Sequence, residues 1–439
     1  MSGDLRDSGP GRVPGARTAR ATGHAPHDGG RVALVAATVL LVGAAEPALA
    51  ANVFNPFVTA GYEYDSNVFM RPSSAPAFAA EGITALGDSI LDYEVGLNSV
   101  INLGADQLTL EASGTRDQYH RFSFLNHYES ALDANLLWHL TRIIDGTVTY
   151  EQHRYMPPFT YTLTTALLLD TDRTLEVPIH VLVMPEWRLD LTPELDQDTT
   201  PVPGFADFRL FDKTGVVGLD YLGFGRLTAG LQFSDGDGRY DGIAAATRYQ
   251  QREFDLTANY KVSGFSKFTA SAGYTNRNSE ADPADSVQAP VGADAFAFYA
   301  GSVGKTSGAT GALSYARQFT GKTSATLSIF RSVDSYAAGA NPELSTGGTL
   351  GVTWKADPKF TLAFDYTLTR DQIKGGLIVL NTANLTDRSQ TTEFEVRYLA
   401  LSWLTIRPYV NWAKATSTFA LGNYSATIVG VDVTARPQW

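Results

Sequence analysis

The histidines are the first residues to consider for chemistry, because the chain has seven of them and no cysteine. Two lie within the first 50 residues, and the others are scattered: His120, His127, His139, His153 and His180. None follows the H-E-x-x-H spacing that brings two metal ligands to one face of a helix. Exposed histidines at a rim are the simpler interpretation, and a hydrolase built on them is the improbable alternative. We therefore expect no catalytic residue, no cofactor and no metal site.

The second candidate for chemistry is an acidic, glycine-rich segment, Ser234-Asp235-Gly236-Asp237-Gly238. Alternating aspartates beside a glycine are typical of calcium-binding loops, but such a loop also needs a bidentate glutamate at a fixed later position. No glutamate follows at that spacing. We therefore expect a solvated loop without a bound ion.

Most carboxylates follow a regular pattern rather than a cluster. Between residues 89 and 119 apolar residues take alternate positions, and between them lie Asp92, Glu94, Asn98, Thr109 and Glu111. A period of two indicates strands that each have one apolar and one polar face. A turn around residues 103–106 joins the two strands into a hairpin.

The same hairpin recurs to the end of the chain, and its connections alternate between short turns and long polar loops. Outer-membrane barrels sort their connections in this way, with short periplasmic turns and long external loops, whereas sandwiches and propellers do not. The sequence predicts an all-β fold, a transmembrane antiparallel β-barrel of about 18 strands, within roughly 16–18. Pro178 lies inside the sixth predicted strand, where we expect an irregularity. We expect a surface loop over residues 276–306.

The first 50 residues have the features of a secretory signal. Their front is basic, Val32 to Ala45 is apolar, and Ala48-Leu49-Ala50 is a small-x-small cleavage site. A membrane anchor is the alternative, although the apolar core is short for a span. We expect residues 1–50 to be removed and residues 51–439 to form one barrel domain. The mature net charge would be −13, because the removed part holds five arginines and four acids, and this charge argues against nucleic acid as a partner.

The polar faces of the predicted strands give a set of candidate lumen-lining residues. They are Asp92, Glu94, Asn98, Thr109, Glu111, Glu129, Asp133, Asn135, Arg188, Asp190, Glu253, Asp255, Thr257, Asn259, Glu393, Glu395, Arg397 and Arg407. Acids outnumber bases among them, so we expect a wall that disfavours polyanions. Tryptophan favours the membrane interface, and the candidates for an aromatic rim beside the short turns are Trp138, Trp187, Trp354, Trp403 and Trp439.

One motif near the start of the mature chain resembles a known family. Tyr62-Glu63-Tyr64-Asp65-Ser66-Asn67-Val68-Phe69 is similar to the Tyr-Asp-x-Asn-hydrophobic-Phe opening of the EpsL-like proteins, outer-membrane barrels associated with exopolysaccharide biosynthesis operons. Similar pieces follow in order: Gly87-Asp88-Ser89, Val95-Gly96-Leu97, Tyr119…Phe122…Leu125-Asn126 and Leu136…Trp138. The resemblance covers roughly residues 57–155 and departs from the family pattern at Met70. It implies that a secreted polysaccharide passes through the barrel, and it brings no catalytic residues.

The leading hypothesis is therefore a non-catalytic conduit for export of a neutral or weakly charged exopolysaccharide through a hydrated polar lumen. The alternatives are a general or substrate-specific porin for small solutes, and a structural or adhesive surface barrel. The predicted location is the outer membrane of a Gram-negative bacterium, reached by Sec-type secretion. The expected partners are outer-membrane lipid, the polysaccharide and, for export, periplasmic components.

Overall fold

A computed structural model describes residues 52–72, 85–159, 165–201, 207–223, 225–241, 247–281, 304–335, 342–374, 384–418 and 422–437. These residues form nineteen β-segments and one short 3-10 turn, Ser123–Leu125. The segments are β1 (Val53–Asp65), β2 (Asp88–Leu103), β3 (Asp106–Tyr119), β4 (His127–His139), β5 (Ile144–Tyr155), β6 (Asp170–Glu176), β7 (Ile179–Met184), β8 (Trp187–Thr200), β9 (Phe208–Tyr221), β10 (Leu227–Asp241), β11 (Thr247–Ser263), β12 (Ser266–Ala281), β13 (Gly304–Gln318), β14 (Thr323–Ser335), β15 (Pro342–Lys355), β16 (Phe360–Lys374), β17 (Asn384–Leu401), β18 (Leu404–Ser417) and β19 (Tyr424–Ala435).

The segments form one closed antiparallel barrel. Each strand pairs with the next along the chain, and β1 pairs with both β2 and β19, which closes the sheet. β6 and β7 both lie between β5 and β8, so they are two halves of one strand. The barrel therefore has 18 strands, as predicted. The break between the halves falls at Val177 and Pro178, which confirms the irregularity expected there, because proline lacks the N–H that a ladder needs.

Alternation along the strands separates an apolar outer face from a polar inner face. On β1, Val58, Tyr62 and Tyr64 are 51, 53 and 47% exposed, whereas Thr59 and Glu63 between them are only 6 and 5% exposed. Successive side chains of a strand point to opposite faces of the sheet. In a closed barrel, the exposed apolar set therefore forms one continuous outer surface. No helix among the described residues is long and apolar enough to cross a membrane.

The two ends of the barrel differ in their connections. At one end, here the turn end, two to five residues join each pair of strands, and β1 begins and β19 ends there as well. At the other end, here the loop end, the connections run to as many as 22 residues. This sorting is the one predicted from the sequence.

Two expectations about loops are wrong. The segment 234–238 lies inside β10 rather than in a solvated loop, and residues 276–281 continue β12 rather than starting a surface loop. Strands of a barrel extend past the membrane, where the outer face meets water and can carry Asp235 and Asp237. Polar composition at that height therefore does not distinguish strand from loop. The predicted signal at 1–50, residues 282–303 of the predicted loop and Trp439 lie outside the described residues.

Glycines on the inner face leave room for aromatic rings on neighbouring strands. A Cβ atom at Gly430 would lie 2.5 Å from Cζ of Tyr409, and one at Gly238 would lie 2.1 Å from Cζ of Tyr249. Both pairs are directly opposite in the antiparallel register. The rings therefore lie flat against the wall, over backbone that only glycine exposes.

Candidate functional site

The candidate lumen residues share one face of the barrel wall. The register links Gly61, Asp92 and Asp117 side by side across β1, β2 and β3, and the same face can be followed from strand to strand around the closed sheet. It is the inner face, because the exposed apolar residues lie on the other one. The residues found on it include Asp92, Glu94, Asn98, Thr109, Glu111, Glu129, Asp133, Asn135, Arg188, Asp190, Glu253, Asp255, Thr257, Asn259, Glu393, Glu395, Arg397 and Arg407.

Arg407 is held by carboxylates on both sides of β18. Its Nη1 donates to Glu395 Oε2 at 3.2 Å, and its Nε donates to Asp432 Oδ2 at 2.9 Å. Next to it on the same strand, the Tyr409 hydroxyl donates to Glu63 Oε2 at 2.7 Å. The guanidinium therefore faces more acid than it can neutralise, and this part of the wall stays acidic.

Arg188 is bound in the same manner on the other side of the barrel. Its Nη2 donates to Asp220 Oδ2 at 2.7 Å and to Asp190 Oδ2 at 3.2 Å. His180 also bonds to Asp190 through Nδ1. Charge-assisted pairs of this kind fix both partners in place. Arg188 and Arg407 thus serve as internal counter-charges.

Hydroxyl and amide groups fill the spaces between the acids. Asn135 donates to Thr149 Oγ1 at 3.0 Å, and Thr269 donates to Asn259 Oδ1 at 3.0 Å. Thr310 donates to Glu253 Oε1 at 3.0 Å. Such groups exchange hydrogen bonds readily with water and with polar solutes. The inner face is therefore hydrophilic over many neighbouring strands.

The wall is not uniform around the barrel. On β13 to β15 most inner positions are small residues, serine or threonine, with Phe330 and, near the loop end, Glu343 as exceptions, and Ser328 donates to Ser314 at 2.9 Å. Carboxylates are more frequent on the inner faces of β1 to β6, β8, β9, β11, β16, β17 and β19. The lumen therefore has a strongly acidic side and a side that offers mainly uncharged hydroxyls.

An apolar cluster lies at the loop end beside β1 to β5. This apolar cap consists of Val68, Phe69, Ile90, Tyr119, Phe122, Leu125 and Phe159. Phe69 is fully buried, with its ring centroid 4.8 Å from that of Phe122 and 5.0 Å from that of Phe159. Ile90 and Tyr119 are opposite each other on the inner face. The cap thus lies on the inner side of the wall at the loop end, which is called the mouth of the barrel below.

Hydrogen bonds from the motif hold this region together. The Asn67 Oδ1 accepts a hydrogen bond from Arg71 N at 3.1 Å. Its Nδ2 donates to the carbonyl oxygens of Arg71 and Ser425. Asp65 Oδ1 accepts from Asn67 N at 2.7 Å, so the motif also bonds its own backbone at the strand exit. The motif is therefore a structural element of the mouth.

Four of the five candidate rim tryptophans lie on the outer face or in a turn at the turn end. Trp138 and Trp354 are one residue from the ends of their strands, Trp187 begins β8, and Trp403 lies in the turn between β17 and β18. Trp187, Trp354 and Trp403 are 38, 49 and 44% exposed. All four therefore lie at the same level along the barrel, and indole rings favour such a level at the interface between membrane and water.

Sequence reasoning missed two inner residues. His127, expected at an exposed rim, is 5% exposed and lies opposite Asp117, and Arg277, expected in a loop, is 1% exposed and lies 3.5 Å over the ring of Tyr249. The sequence did indicate that His127 is on the inner face. Residues two apart on a strand share a face, and Glu129, a candidate lumen residue, is two residues away.

A closed antiparallel barrel with an apolar outer surface is the architecture of bacterial outer-membrane proteins, because only a closed sheet leaves no unpaired edge in lipid. The chain is an outer-membrane β-barrel, and its place is the outer membrane of a Gram-negative bacterium.

Solved outer-membrane structures share the general form. Pseudomonas aeruginosa OccK2 (OpdF) is 11% identical, with 87% of this chain and 98% of that chain covered and a TM-score of 0.46. Acinetobacter baumannii OccAB3 is 9% identical, with 88 and 99% covered and a TM-score of 0.42. The siderophore receptor PirA from Pseudomonas aeruginosa is 9% identical, with 89 and 81% covered and a TM-score of 0.43. Neither the known protein families nor the curated proteins contain a match to the chain.

Proposed function

We propose that the protein is a non-catalytic outer-membrane channel that lets small polar solutes diffuse across the membrane and prefers cations. The observation that carries this proposal is the inner face, on which carboxylates lie on many neighbouring strands while Arg188 and Arg407 are each held between acids. Barrels of about 16–18 strands are wide enough to leave an aqueous channel.

The charge distribution sets the expected selectivity. Fixed negative charge on the wall raises the local concentration of cations and lowers that of anions. Screening limits this effect, since the Debye length at physiological salt is about 8 Å. The preference should therefore be moderate in a wide lumen, and strongest where carboxylates lie close together, as Glu253 and Asp255 do on β11.

The test is the reversal potential of the purified barrel in a planar bilayer under a salt gradient. Wild type should show cation preference, and Asp255→Asn should reduce that preference because it removes one inner charge. Asp237→Asn is the matched control, because Asp237 lies on the outer face of β10 near the loop end. Anion preference of the wild type, or an equal effect of the two substitutions, would refute the proposal that carboxylates on the inner face make the channel cation-selective.

Export of a neutral or weakly charged exopolysaccharide, with periplasmic components as partners, is the second candidate. One observation favours it: three pieces of the EpsL-like resemblance, near residues 62–69, 87–89 and 119–126, meet at the loop end of the barrel. Asp88 accepts from the backbone N–H groups of Arg121 and Phe122 at 2.8 Å each, and Phe69 packs on Phe122. The shared residues thus build one unit, as expected if the resemblance is to a common mouth.

A deletion strain separates the two candidates. If the channel serves small solutes, deletion lowers their uptake and leaves the surface polysaccharide unchanged. If it serves export, deletion abolishes surface polysaccharide and leaves uptake unchanged. The second result would replace the diffusion channel with the export conduit as the function of this barrel.

A further inference from the structure

A buried histidine lies between two carboxylates directly beneath the apolar cap. His127 Nε2 is 2.7 Å from Glu129 Oε1 and 3.3 Å from Asp117 Oδ2. The side chains of His127, Glu129 and Asp117 are 1, 8 and 14% exposed. Among the described residues, this is the group of histidine and carboxylate side chains whose ligand atoms all lie within 4.8 Å of one another.

The orientation of the imidazole suits a metal ligand. The other ring nitrogen, Nδ1, is 2.7 Å from the Leu125 carbonyl oxygen. A carbonyl can only accept, so Nδ1 carries the hydrogen and Nε2 is the nitrogen directed at the carboxylates. Metal-binding histidines are commonly fixed in this way, with the second ring N–H donating to a backbone carbonyl.

The carboxylates are positioned by the surrounding structure as well. Glu129 Oε1 accepts the backbone N–H of Met156 at 2.8 Å, and Tyr119 stacks on the His127 ring with centroids 6.2 Å apart. Asp117 is directly opposite His127 across the β3–β4 ladder. The three ligand groups thus come from two paired strands, which hold them at a fixed separation.

A divalent cation matches the charge of these three side chains more closely than a proton does. A protonated imidazole would supply one positive charge against two carboxylates, and Asp92 lies opposite Asp117 on the next strand. Buried charges are costly unless they are compensated. A dication at Nε2 compensates both carboxylates at once.

We propose that Asp117, His127 and Glu129 bind one Zn²⁺ ion, with water completing a tetrahedral site. Zinc takes imidazole nitrogen and carboxylate oxygen ligands at about 2.0–2.2 Å, which puts neighbouring ligand atoms roughly 3.3 Å apart. The distance from Nε2 to Asp117 already has this value, and Glu129 needs to withdraw by a fraction of an ångström. The bound ion replaces the proton on Nε2.

Zinc here would stabilise the mouth of the barrel. Leu125, whose carbonyl holds the imidazole, is fully buried in the apolar cap. Met156, held by Glu129, packs against the same cluster. The ion would therefore tie β3 and β4 to two loop segments of the cap, and its loss should make those segments accessible.

The test is zinc binding by the refolded barrel in detergent, stripped with a chelator and titrated with ZnCl₂ against a zinc-binding dye. Wild type should retain one zinc per chain after gel filtration. Asp117→Asn and Glu129→Gln should each weaken binding at least tenfold, and zinc should slow proteolysis of the loop end in wild type only. When Co²⁺ is bound in place of Zn²⁺, its visible absorption reports nitrogen and oxygen ligands. This measurement is made on the wild-type protein and needs no mutation.

His153→Gln is the matched control. His153 also contacts a carboxylate, Asp133, at 2.9 Å, but it is not one of the three proposed zinc ligands. It should bind zinc as wild type does. Wild type that binds no more zinc than Glu129→Gln would overturn the proposal in favour of a protonated His127 ion pair. Equal loss of zinc in His153→Gln would overturn it in favour of general binding along the acidic wall.

Discussion

Replacing Leu256 with arginine is expected to destabilise the folded barrel in lipid by about 2–4 kcal/mol, the cost of a cationic side chain on the lipid face at the membrane midplane. Leu256 lies on the outer face of β11 and is 54% exposed. On the same face, Arg252 lies four residues toward the loop end and Tyr260 four residues toward the turn end. With a rise of about 3.3 Å per residue and a tilt of about 40°, each boundary is roughly 10 Å away. Leu256 is therefore near the centre of the apolar band.

Two further substitutions separate the effect of depth in the membrane from the effect of the face of the sheet. Val262→Arg is on the same outer face at the turn end of β11, where the cost should fall to about 0–1 kcal/mol. Thr257→Arg is on the inner face, opposite Gly230, whose neighbour across the sheet is Asp220. A cation there meets water and a carboxylate rather than lipid. Its cost should be below that of Leu256→Arg.

The assay is reversible folding into thin lipid vesicles, followed by tryptophan fluorescence as urea is varied. The free energies of unfolding of the three variants are compared with that of wild type. A cost for Thr257→Arg equal to or above that of Leu256→Arg would show that the two faces are assigned the wrong way round. A cost for Val262→Arg as large as that for Leu256→Arg would refute the proposed depth.

Three more substitutions test the mouth and the wall. Asn67→Ala removes three hydrogen bonds and should destabilise the mouth locally by about 1–3 kcal/mol, which is measured as faster proteolysis of the loops in the folded barrel. Arg407→Met leaves Asp432 without its partner and should cost about 1–2 kcal/mol in folding free energy, since the pair is partly hydrated, while cation preference in a bilayer rises. Gly430→Ala should displace the Tyr409 ring at a cost of about 1–3 kcal/mol, which urea titration reports, whereas the same change at an open glycine should be nearly neutral.

The sequence predicted the barrel because the relevant signal is local and repeated. Alternation over strands of 12–18 residues assigns every side chain to a face, whatever the partner strand is. The same alternation placed Asp92, Glu253 and Arg407 on one side of the wall without any knowledge of the register. Strand ends were predicted less well, as at 234–238, because the strands continue into water and their composition changes to that of a loop.

The mouth could not be predicted in the same way, because it depends on contacts between segments far apart in the chain. Phe69, Phe122 and Phe159 pack together across 90 residues of sequence, and periodicity does not indicate which loops fold inward. His127 shows the consequence. Its strand position suggested an exposed rim, but it is only 5% exposed, with the Tyr119 ring stacked on it and the Leu125 carbonyl bound to Nδ1.

The position of the motif bears on what the resemblance can indicate. Ser66 N donates to the Thr427 carbonyl, Thr427 N donates to Ser66 Oγ, and Asn67 Nδ2 donates to the Ser425 carbonyl, 358 residues away. These bonds extend the β1–β19 seam beyond the end of β1 at the loop end, so that the first and last strands stay joined there. A closed sheet in lipid leaves no edge unpaired, and these bonds continue the closure past the last pair of the β1–β19 ladder. The motif therefore relates to closure and to the mouth, and under the proposed function the choice of solute falls to the acidic and hydroxyl-bearing sides of the inner wall.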